Sequence, residues 1–294
     1  MSLKEYENNQ KKKVALIGCG LIGQSWAISF LSAGFEVSLF DPVEGVTVQS
    51  KEKIVTKLRD LQSYGLLKNK NISDFLVKIH LAQDISQAIE GSIYVQESGP
   101  ENLSIKKALT EKIDAATPDN IPIASSTSGI PASLYAIDVK GKYRCLVAHP
   151  INPPHLIPAV EIVPAPFTSE NITQSVAEIM ISIDKEPLEL KKEIPGFVVN
   201  RLQGALLCEA FNLVKEGIAS AEDIDKAISE GLGLRWSFMG PFQTIHLNAP
   251  EGIAGYVKRY EKMYKEMYNN PDIEWVSVLK LGLEEELLSL YKIR

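Results

Sequence analysis

The stretch VALIGCGLIGQSWAISFLSAGFEVSLFD, from Val14 to Asp41, determines the fold predicted for the N-terminal part of the chain. A run of β-forming residues precedes three glycines, an amphipathic segment follows them, and an acidic residue ends the next β-forming run. In a βαβ unit the first glycine permits a tight turn, the second lets backbone N–H groups approach a pyrophosphate, and the third lets helix and strand pack closely. Gly18, Gly20 and Gly23 have this spacing, which predicts a dinucleotide-binding turn.

The acidic residue at the end of this stretch indicates which dinucleotide is bound. An acid at the end of the second strand accepts a hydrogen bond from the ribose 2′-hydroxyl and would repel a 2′-phosphate. Asp41 therefore predicts NAD rather than NADP as the cofactor. The alternative is a glycine-rich turn without a ligand, since Asp41-Pro42 is also an ordinary turn signal.

Short β-branched runs alternate with longer amphipathic segments from residue 13 to about 190. This alternation predicts a doubly wound α/β domain of Rossmann type with a mostly parallel sheet covered on both faces. The predicted strands are KVALIG, EVSLF, SIYVQ, IPIAS, YRCLVAH, VEIV and PLEL, and the predicted helices cover residues 21–33, 46–64, 101–116, 130–137 and 171–183.

The β signal fades after Pro195-Gly196, and apolar residues then recur at helical spacing. Helices are predicted for residues 197–217, from Ser220 onward, and around 241–248, 251–268 and 276–292. The chain therefore divides into a dinucleotide-binding domain, residues 1–195, and an all-helical domain, residues 196–294. Residues 1–12 are predicted to be a frayed tail.

Composition excludes several classes of partner. The net charge of -6 and the pI near 5.4 argue against nucleic acid, whose binding proteins carry a basic surplus. Cys19, Cys145 and Cys208 lie far apart, which fits neither a disulfide framework nor a metal pair and favours a reducing, cytoplasmic location.

No apolar run reaches the roughly 18 residues of a membrane span. We do not expect KKKVALIGCGLIG to be a signal peptide, because glycines interrupt its apolar run.

A second constellation lies in AHPINPPHLIPAVEIV, residues 148–163. His149 ends a predicted strand and Glu161 lies on the next one, so adjacent strands can bring the two side chains together. A carboxylate on one imidazole nitrogen fixes the tautomer and leaves the other nitrogen as a base. A loop histidine and a solvated edge glutamate are the alternative, and His155 is an alternative base.

The motifs GCGLIG, PEN at 100–102, SSTS at 125–128, AHPINPP and PGFVVNR at 195–201 together resemble the 3-hydroxyacyl-CoA dehydrogenase superfamily over residues 13 to about 265. LIGQSWA, SEGLGLRWSFMGP at 229–241 and HLNAPEG at 246–252 are most similar to its lambda-crystallin branch. The resemblance implies a homodimer formed mainly through the helical domain, with the active site in the cleft between the two domains.

The resemblance also assigns site residues. It implies that His149 is the catalytic base, that Glu161 is its acidic partner, and that Ser128 and Asn200 donate hydrogen bonds to the reacting oxygen. Without it, Ser128 is a turn serine and Asn200 a polar residue at a helix start. The implied set contains no metal ligand, and its cofactor positions are Gly18, Gly20, Leu21, Ile22, Gly23, Asp41, Glu101 and Lys106.

The superfamily implies a small hydroxy-acid substrate oxidised at C3, which is a 3-hydroxyacyl-CoA, L-gulonate or L-carnitine. A free carboxylate favours a bidentate arginine, and Arg235 is the candidate, with a surface or interdomain salt bridge as the alternative. Trp236 and Phe238 are candidates for an aromatic cage around a quaternary ammonium. HLNAPEG favours L-gulonate, oxidised to 3-dehydro-L-gulonate. A non-catalytic, crystallin-like protein that binds NAD is the alternative of another class, which the complete tetrad Ser128, His149, Glu161 and Asn200 disfavours.

Overall fold

The computed structural model of the protein describes residues 12–67 and 71–267 and the single positions 282, 285 and 288. The chain divides into two compact units, Met1–Gly204 and Ala205–Arg294. The first unit contains an eight-stranded sheet of order β3-β2-β1-β4-β5-β6-β7-β8. Its strands are β1 Lys13–Ile17, β2 Glu36–Phe40, β3 Ile79–Leu81, β4 Val95–Glu97, β5 Ile123–Ser125, β6 Cys145–Pro150, β7 Ala159–Pro164 and β8 Glu186–Glu189.

Helices alternate with the strands in the first unit and fill the described part of the second. They are α1 Leu21–Ser32, α2 Val46–Ser63, α3 Ile72–Leu76, α4 Ile85–Ile89, α5 Leu103–Ala116, α6 Ala132–Tyr135, α7 Glu170–Ile181, α8 Val199–Lys215, α9 Ala221–Lys226, α10 Gly233–Trp236, α11 Pro241–Asn248 and α12 Gly252–Met267. A 3₁₀ turn covers Lys142–Arg144 and a π-helix covers Ala227–Leu232. The division between the units falls inside α8.

The sheet is buried on both faces, as its apolar strands predict. Val14 and Leu16 of β1 belong to one apolar cluster, whereas Ala15 and Ile17 belong to the other. Helix α1 is apolar around most of its circumference, and Trp26 in it is completely buried. The prediction of a mostly parallel doubly wound sheet followed by helices is confirmed.

Two features of the strand arrangement position a site. The chain leaves β1 in one direction toward β2 and β3, and returns beside it as β4, so the carboxyl ends of β1 and β4 form a topological switch point where ligands bind. All neighbouring strands are parallel except β6 and β7, which are antiparallel. In that pair His149 lies directly opposite Glu161.

The structure corrects several predicted elements. Helix α8 begins at Val199 rather than Phe197, because Phe197 has a left-handed backbone with φ of 51°. Strand β3 and the five-residue helices α3 and α4 were not predicted. Most of the helix predicted for residues 276–292 and most of the tail predicted for residues 1–12 lie outside the described residues.

Candidate active site

The glycine turn fits a pyrophosphate. Gly18 has φ of 98°, and a Cβ there would lie 2.6 Å from the Ser98 carbonyl oxygen. A Cβ on Gly23 would lie 2.0 Å from the Gly18 carbonyl oxygen, so only glycine lets α1 approach β1 this closely. Nothing lies within 4 Å of a Cβ built on Gly20, which leaves space for a ligand beside the helix N-terminus. Among the described side chains none caps this helix, so its first N–H groups are open to a phosphate.

The predicted ribose-binding acid lies beside this turn. Asp41 accepts hydrogen bonds from the Cys19 N–H at 2.9 Å and from the Val43 N–H at 3.0 Å, one on each carboxylate oxygen. Each oxygen keeps a further lone pair. The fixed carboxylate can therefore accept hydrogen bonds from ribose hydroxyls.

We expect Gly23→Ala and Gly20→Ala to differ in a defined way. Gly23→Ala forces backbone atoms apart, which costs about 1–3 kcal/mol of stability and distorts the turn. Gly20→Ala leaves the fold nearly as stable, because its backbone is extended with φ of -67°, but its methyl group occupies the space for the pyrophosphate. Thermal unfolding and NADH titration measure both effects. Equal loss of stability in the two variants would contradict the packing argument.

The second constellation is assembled at the carboxyl end of β6. His149 Nδ1 lies 2.7 Å from Glu161 Oε2, and the Glu161 side chain is 0% exposed. The other oxygen, Oε1, accepts the N–H groups of Val198 at 2.7 Å and Val199 at 3.0 Å. Burial by itself raises the pKa of Glu161, but the hydrogen bonds from His149, Val199 and Val198 outweigh it and hold the pKa below its ordinary value. The carboxylate is therefore ionised and can only accept hydrogen bonds.

Phe197 explains how the chain delivers these N–H groups. Its left-handed backbone turns the chain after Gly196, so that the first residues of α8 face Glu161. The Phe197 ring is completely buried, and its centroid lies 5.6 Å from that of the His149 ring. Phe197 thus packs against the imidazole of His149, and its backbone conformation brings the N–H groups of Val198 and Val199 to the carboxylate of Glu161.

A cavity of about 570 Å³ opens beside the imidazole. It contains Ser128, His149 and Asn200, while Glu161 lies directly behind His149 and is completely buried. The lining consists of Ile22, Ser98, Gly99, Glu101, Ser126, Ser128, His149, Pro150, Ile151, Asn152, Val199, Asn200 and Gln203. All of these residues belong to the first unit.

Hydrogen bonds order the loop that carries Ser128. Glu101 Oε1 accepts from the Thr127 hydroxyl at 2.6 Å, the Ser128 N–H at 3.1 Å, the Ser128 hydroxyl at 3.3 Å and the Gly129 N–H at 3.1 Å. Asn200 Nδ2 donates to the Ser128 carbonyl oxygen at 2.7 Å. Because the Ser128 proton is directed to Glu101, its oxygen is available here as an acceptor, whereas the family resemblance implied a donor.

Two other predicted residues lie outside this cavity. Lys106 is 1% exposed, and its ammonium lies 3.0 Å from Glu97 Oε2 and 3.8 Å from Glu101 Oε2. It therefore forms ion pairs with both carboxylates. Leu21 lines a neighbouring cavity with Gly20 and Gln24. A direct contact between Lys106 and a cofactor does not fit its burial.

The alternative base, His155, lies elsewhere. It lines a different cavity, and its Nδ1 has no hydrogen-bond partner among the described residues. Burial, together with the charges of Lys57 and Lys185, lowers the pKa of His155 below its ordinary value. His155 therefore lacks the carboxylate that orients His149.

Arg235 belongs to the second unit, on the short helix α10, and is exposed. Within the described ranges it forms no ion pair. A salt bridge of Arg235 within the second unit is therefore not found in the described part of the chain. Trp236 is 39% exposed and Phe238 is 71% exposed.

Several cavity residues were not predicted, notably Ser98, Ser126 and Gln203. Ser98 directly follows β4 and Ser126 directly follows β5, and the carboxyl ends of parallel strands are where ligands bind in such sheets. That rule alone would have identified both serines. The described His, Cys, Asp and Glu side chains form no group of three that could hold a metal ion. Of the helices in the described ranges, none combines the length and apolar character needed to cross a bilayer.

Comparison with known proteins identifies the family. Residues 13–194 match the NAD-binding domain of 3-hydroxyacyl-CoA dehydrogenase, and residues 196–284 match its C-terminal domain. The chain belongs to the 3-hydroxyacyl-CoA dehydrogenase family. It is thus an NAD-dependent oxidoreductase of hydroxy-acid type.

The relatives of this dehydrogenase include lambda-crystallin homologs, which confirms the predicted lambda-crystallin branch. The human lambda-crystallin homolog is 41% identical over 86% of this chain and 79% of its own length. An L-carnitine dehydrogenase from Streptomyces griseus is 37% identical over 82% of this chain and 71% of its own length. The crystal structure of 5-formyl-3-hydroxy-2-methylpyridine 4-carboxylic acid 5-dehydrogenase, an NAD⁺-dependent dismutase, superposes with a TM-score of 0.78 at 27% identity, covering 94% of this chain and 87% of that one.

Proposed function

We propose that the protein oxidises the C3 hydroxyl of L-gulonate to 3-dehydro-L-gulonate. The observation that carries the proposed chemistry is the pair His149–Glu161 at 2.7 Å in a cavity beside the glycine turn. NAD⁺, when bound, accepts the hydride that leaves C3. An alcohol gives up hydride readily only if its proton leaves in the same step, so the chemistry requires a base here.

The side chains of the cavity and Glu161 behind it would transfer the proton and orient the substrate. Glu161 only accepts hydrogen bonds, so the proton of the neutral imidazole lies on Nδ1 and the lone pair lies on Nε2. His149 takes the proton of the C3 hydroxyl through Nε2, and Glu161 stabilises the resulting imidazolium. The second N–H of Asn200 donates to the reacting oxygen and orients it, and the Ser128 carbonyl oxygen fixes the Asn200 amide by accepting its first N–H.

Arg235 supports a substrate with a free carboxylate. Its guanidinium is exposed and has no acidic partner in the described part of the chain, and such a fork matches a carboxylate bidentately. A thioester offers no such charge. The motif HLNAPEG at 246–252, which resembles the lambda-crystallin branch, favours L-gulonate among the carboxylates.

The proposal is tested by following NADH absorbance with excess NAD⁺ and, in parallel, L-gulonate, L-carnitine, L-3-hydroxybutyrate and L-3-hydroxybutyryl-CoA. We expect kcat/KM to be at least about tenfold higher for L-gulonate than for the others. A preference for the CoA ester would overturn the carboxylate argument and leave the chemistry intact. NADH binding without turnover of any substrate would support a non-catalytic, crystallin-like protein.

Replacing Arg235 with Leu gives a separate test of the carboxylate contact. Loss of a charge-assisted hydrogen-bonded pair predicts a rise of about 10- to 100-fold in KM for the hydroxy acid, with KM for NAD⁺ unchanged. Arg259→Leu is the matched control, because that exposed arginine already pairs with Glu251 at 3.6 Å. Equal increases for substrate and cofactor in the Arg235 variant would exclude a clamp.

L-carnitine is the second candidate substrate. The exposed Trp236 and Phe238 follow Arg235 in sequence and offer aromatic faces to a quaternary ammonium. The relative named L-carnitine dehydrogenase is similar over most of its length. The substrate panel separates the two, since Trp236→Ala would lower kcat/KM for carnitine only if the ring contacts its cation.

We also propose that the protein is a cytoplasmic homodimer. No residue of α8 is buried, and Leu202, Phe211 and Ile218 are 65%, 70% and 67% exposed. An apolar surface of this extent is characteristic of an interface, and a second copy would cover it. Equilibrium sedimentation tests this proposal, and a monomer at micromolar concentration would contradict it.

A further inference from the structure

Two serine hydroxyls lie on the wall of the cavity and have no role in the proton transfer described above. Ser98 follows β4 and Ser126 follows β5, and their Oγ atoms lie 2.8 Å apart. Both residues line the cavity that contains His149. Their hydrogen bonds determine which way each hydroxyl proton points.

Ser126 Oγ already accepts two hydrogen bonds. One comes from the Trp26 indole N–H at 3.0 Å and the other from the Gln96 amide at 2.7 Å. A hydroxyl oxygen has two acceptor lone pairs and one proton, so the Ser126 proton is donated to Ser98. Ser98 then accepts from Ser126, and its own proton has no acceptor among the described residues.

The orientation of the Gln96 amide supports this assignment. Its nitrogen lies 3.4 Å from the Ala148 carbonyl oxygen, which only accepts, and its oxygen accepts the Tyr94 hydroxyl. A flipped amide would place two oxygens against each other. Burial raises the pKa of Tyr94 well above its ordinary value, so that hydroxyl keeps the proton it donates.

The position of Ser98 indicates what receives its proton. Its N–H donates to the carbonyl oxygen of Ile17, the last residue of β1, at 2.7 Å. Its Cβ lies 3.8 Å from a Cβ built on Gly23, so Ser98 contacts the glycine turn on one side. The same cavity extends to His149. If a dinucleotide were bound with its pyrophosphate at the turn and its reactive ring near His149, the ribose that joins them would lie between the two.

We propose that Ser98, held by Ser126, Trp26 and Gln96, donates a hydrogen bond to a hydroxyl oxygen of the ribose on the nicotinamide side of NAD. This role makes Ser98 a positioning residue for the cofactor. It rests on the proposed dehydrogenase function, since it needs a dinucleotide in the cavity. It places the ribose between two fixed points, the helix N-terminus and the Ser98 hydroxyl.

Binding of three ligands distinguishes a contact with the ribose from a contact with other parts of the cofactor. They are NADH, ADP-ribose, which keeps the terminal ribose without nicotinamide, and ADP, which lacks that ribose. Calorimetric titration of the whole chain gives Kd for each ligand. We expect Ser98→Ala to weaken NADH and ADP-ribose about 3- to 10-fold and to leave ADP unchanged. Ser98→Thr keeps the hydroxyl and should bind all three within about twofold of the unaltered protein.

Ser92→Ala is the matched control, because Ser92 is a buried serine that precedes β4 and its hydroxyl donates to the Ala88 carbonyl oxygen. It should leave all three Kd values unchanged, and thermal unfolding should show that each variant folds. Equal weakening of ADP by Ser98→Ala would assign Ser98 to the phosphates and overturn the proposal. Unchanged NADH affinity with a raised KM for the hydroxy acid would assign it to the substrate and also overturn it. Failure of the unaltered protein to bind NADH would instead refute the proposed function.

Discussion

Replacement of His149 by Gln is expected to lower kcat about 10²–10⁴-fold while the Kd for NADH stays within about twofold. Glutamine is polar and of similar reach, but its amide cannot take a proton from the substrate. The turn that holds the pyrophosphate lies on other residues and is not changed. Stopped-flow measurement of NADH formation and a separate NADH titration give the two quantities.

His155→Gln is the matched control for this experiment. His155 lies in the loop that follows β6 but lines another cavity, and no carboxylate among the described residues orients it. Its replacement should leave kcat unchanged. Retained turnover in His149→Gln, or a comparable loss in His155→Gln, would remove His149 from the role of base.

Replacement of Glu161 by Gln is expected to be about as damaging, with kcat reduced about 10²–10⁴-fold. The amide oxygen can still accept from Val198 and Val199, which leaves the NH₂ group facing Nδ1 of His149. Nδ1 must then be the acceptor, so the imidazole proton moves to Nε2, where the substrate proton should arrive. Glu189→Gln, an exposed change on the neighbouring strand β8, is the control and should have no effect.

Unfolding experiments provide a second readout for Glu161. Its pKa in the folded chain lies below the ordinary value of 4.5, so its carboxylate stabilises the fold above that value and loses this contribution as pH falls through the lowered pKa. The difference in unfolding free energy between the natural chain and Glu161→Gln should therefore be present above the ordinary value and shrink as pH falls through the lowered pKa. A difference that stays unchanged below that pKa would contradict the assigned ionisation.

The fold was largely predictable because its long elements have strong periodicity. Strand β1 is apolar on both faces, and α1 follows glycines whose spacing is distinctive. Strand β3 escaped prediction because it has three residues, of which only Ile79 is buried. Helices α3 and α4, with five residues each, are too short to display a period of 3.6.

Contacts in the site were predictable between residues on consecutive strands. Contacts between residues far apart in the sequence were not. His149 and Glu161 lie on consecutive strands, so their contact follows from pairing. Glu97 is buried and charged, and nothing in the strand indicates that Lys106 neutralises it from a helix. The contact between Trp26 and Ser126 joins residues far apart in the chain, and only the folded sheet brings them together.

The antiparallel pairing of β6 with β7 limits how this protein can diverge. Side chains alternate between faces along a strand, so a register slip of one residue would turn Glu161 away from His149. Loops that join parallel strands to helices away from the glycine turn and the cavity tolerate insertions and deletions, because no pair of reacting groups depends on their length. The segment 151–158 lacks that freedom, and lineages that change substrate here are expected to exchange residues such as Ile151 and Asn152 while keeping the number of residues constant.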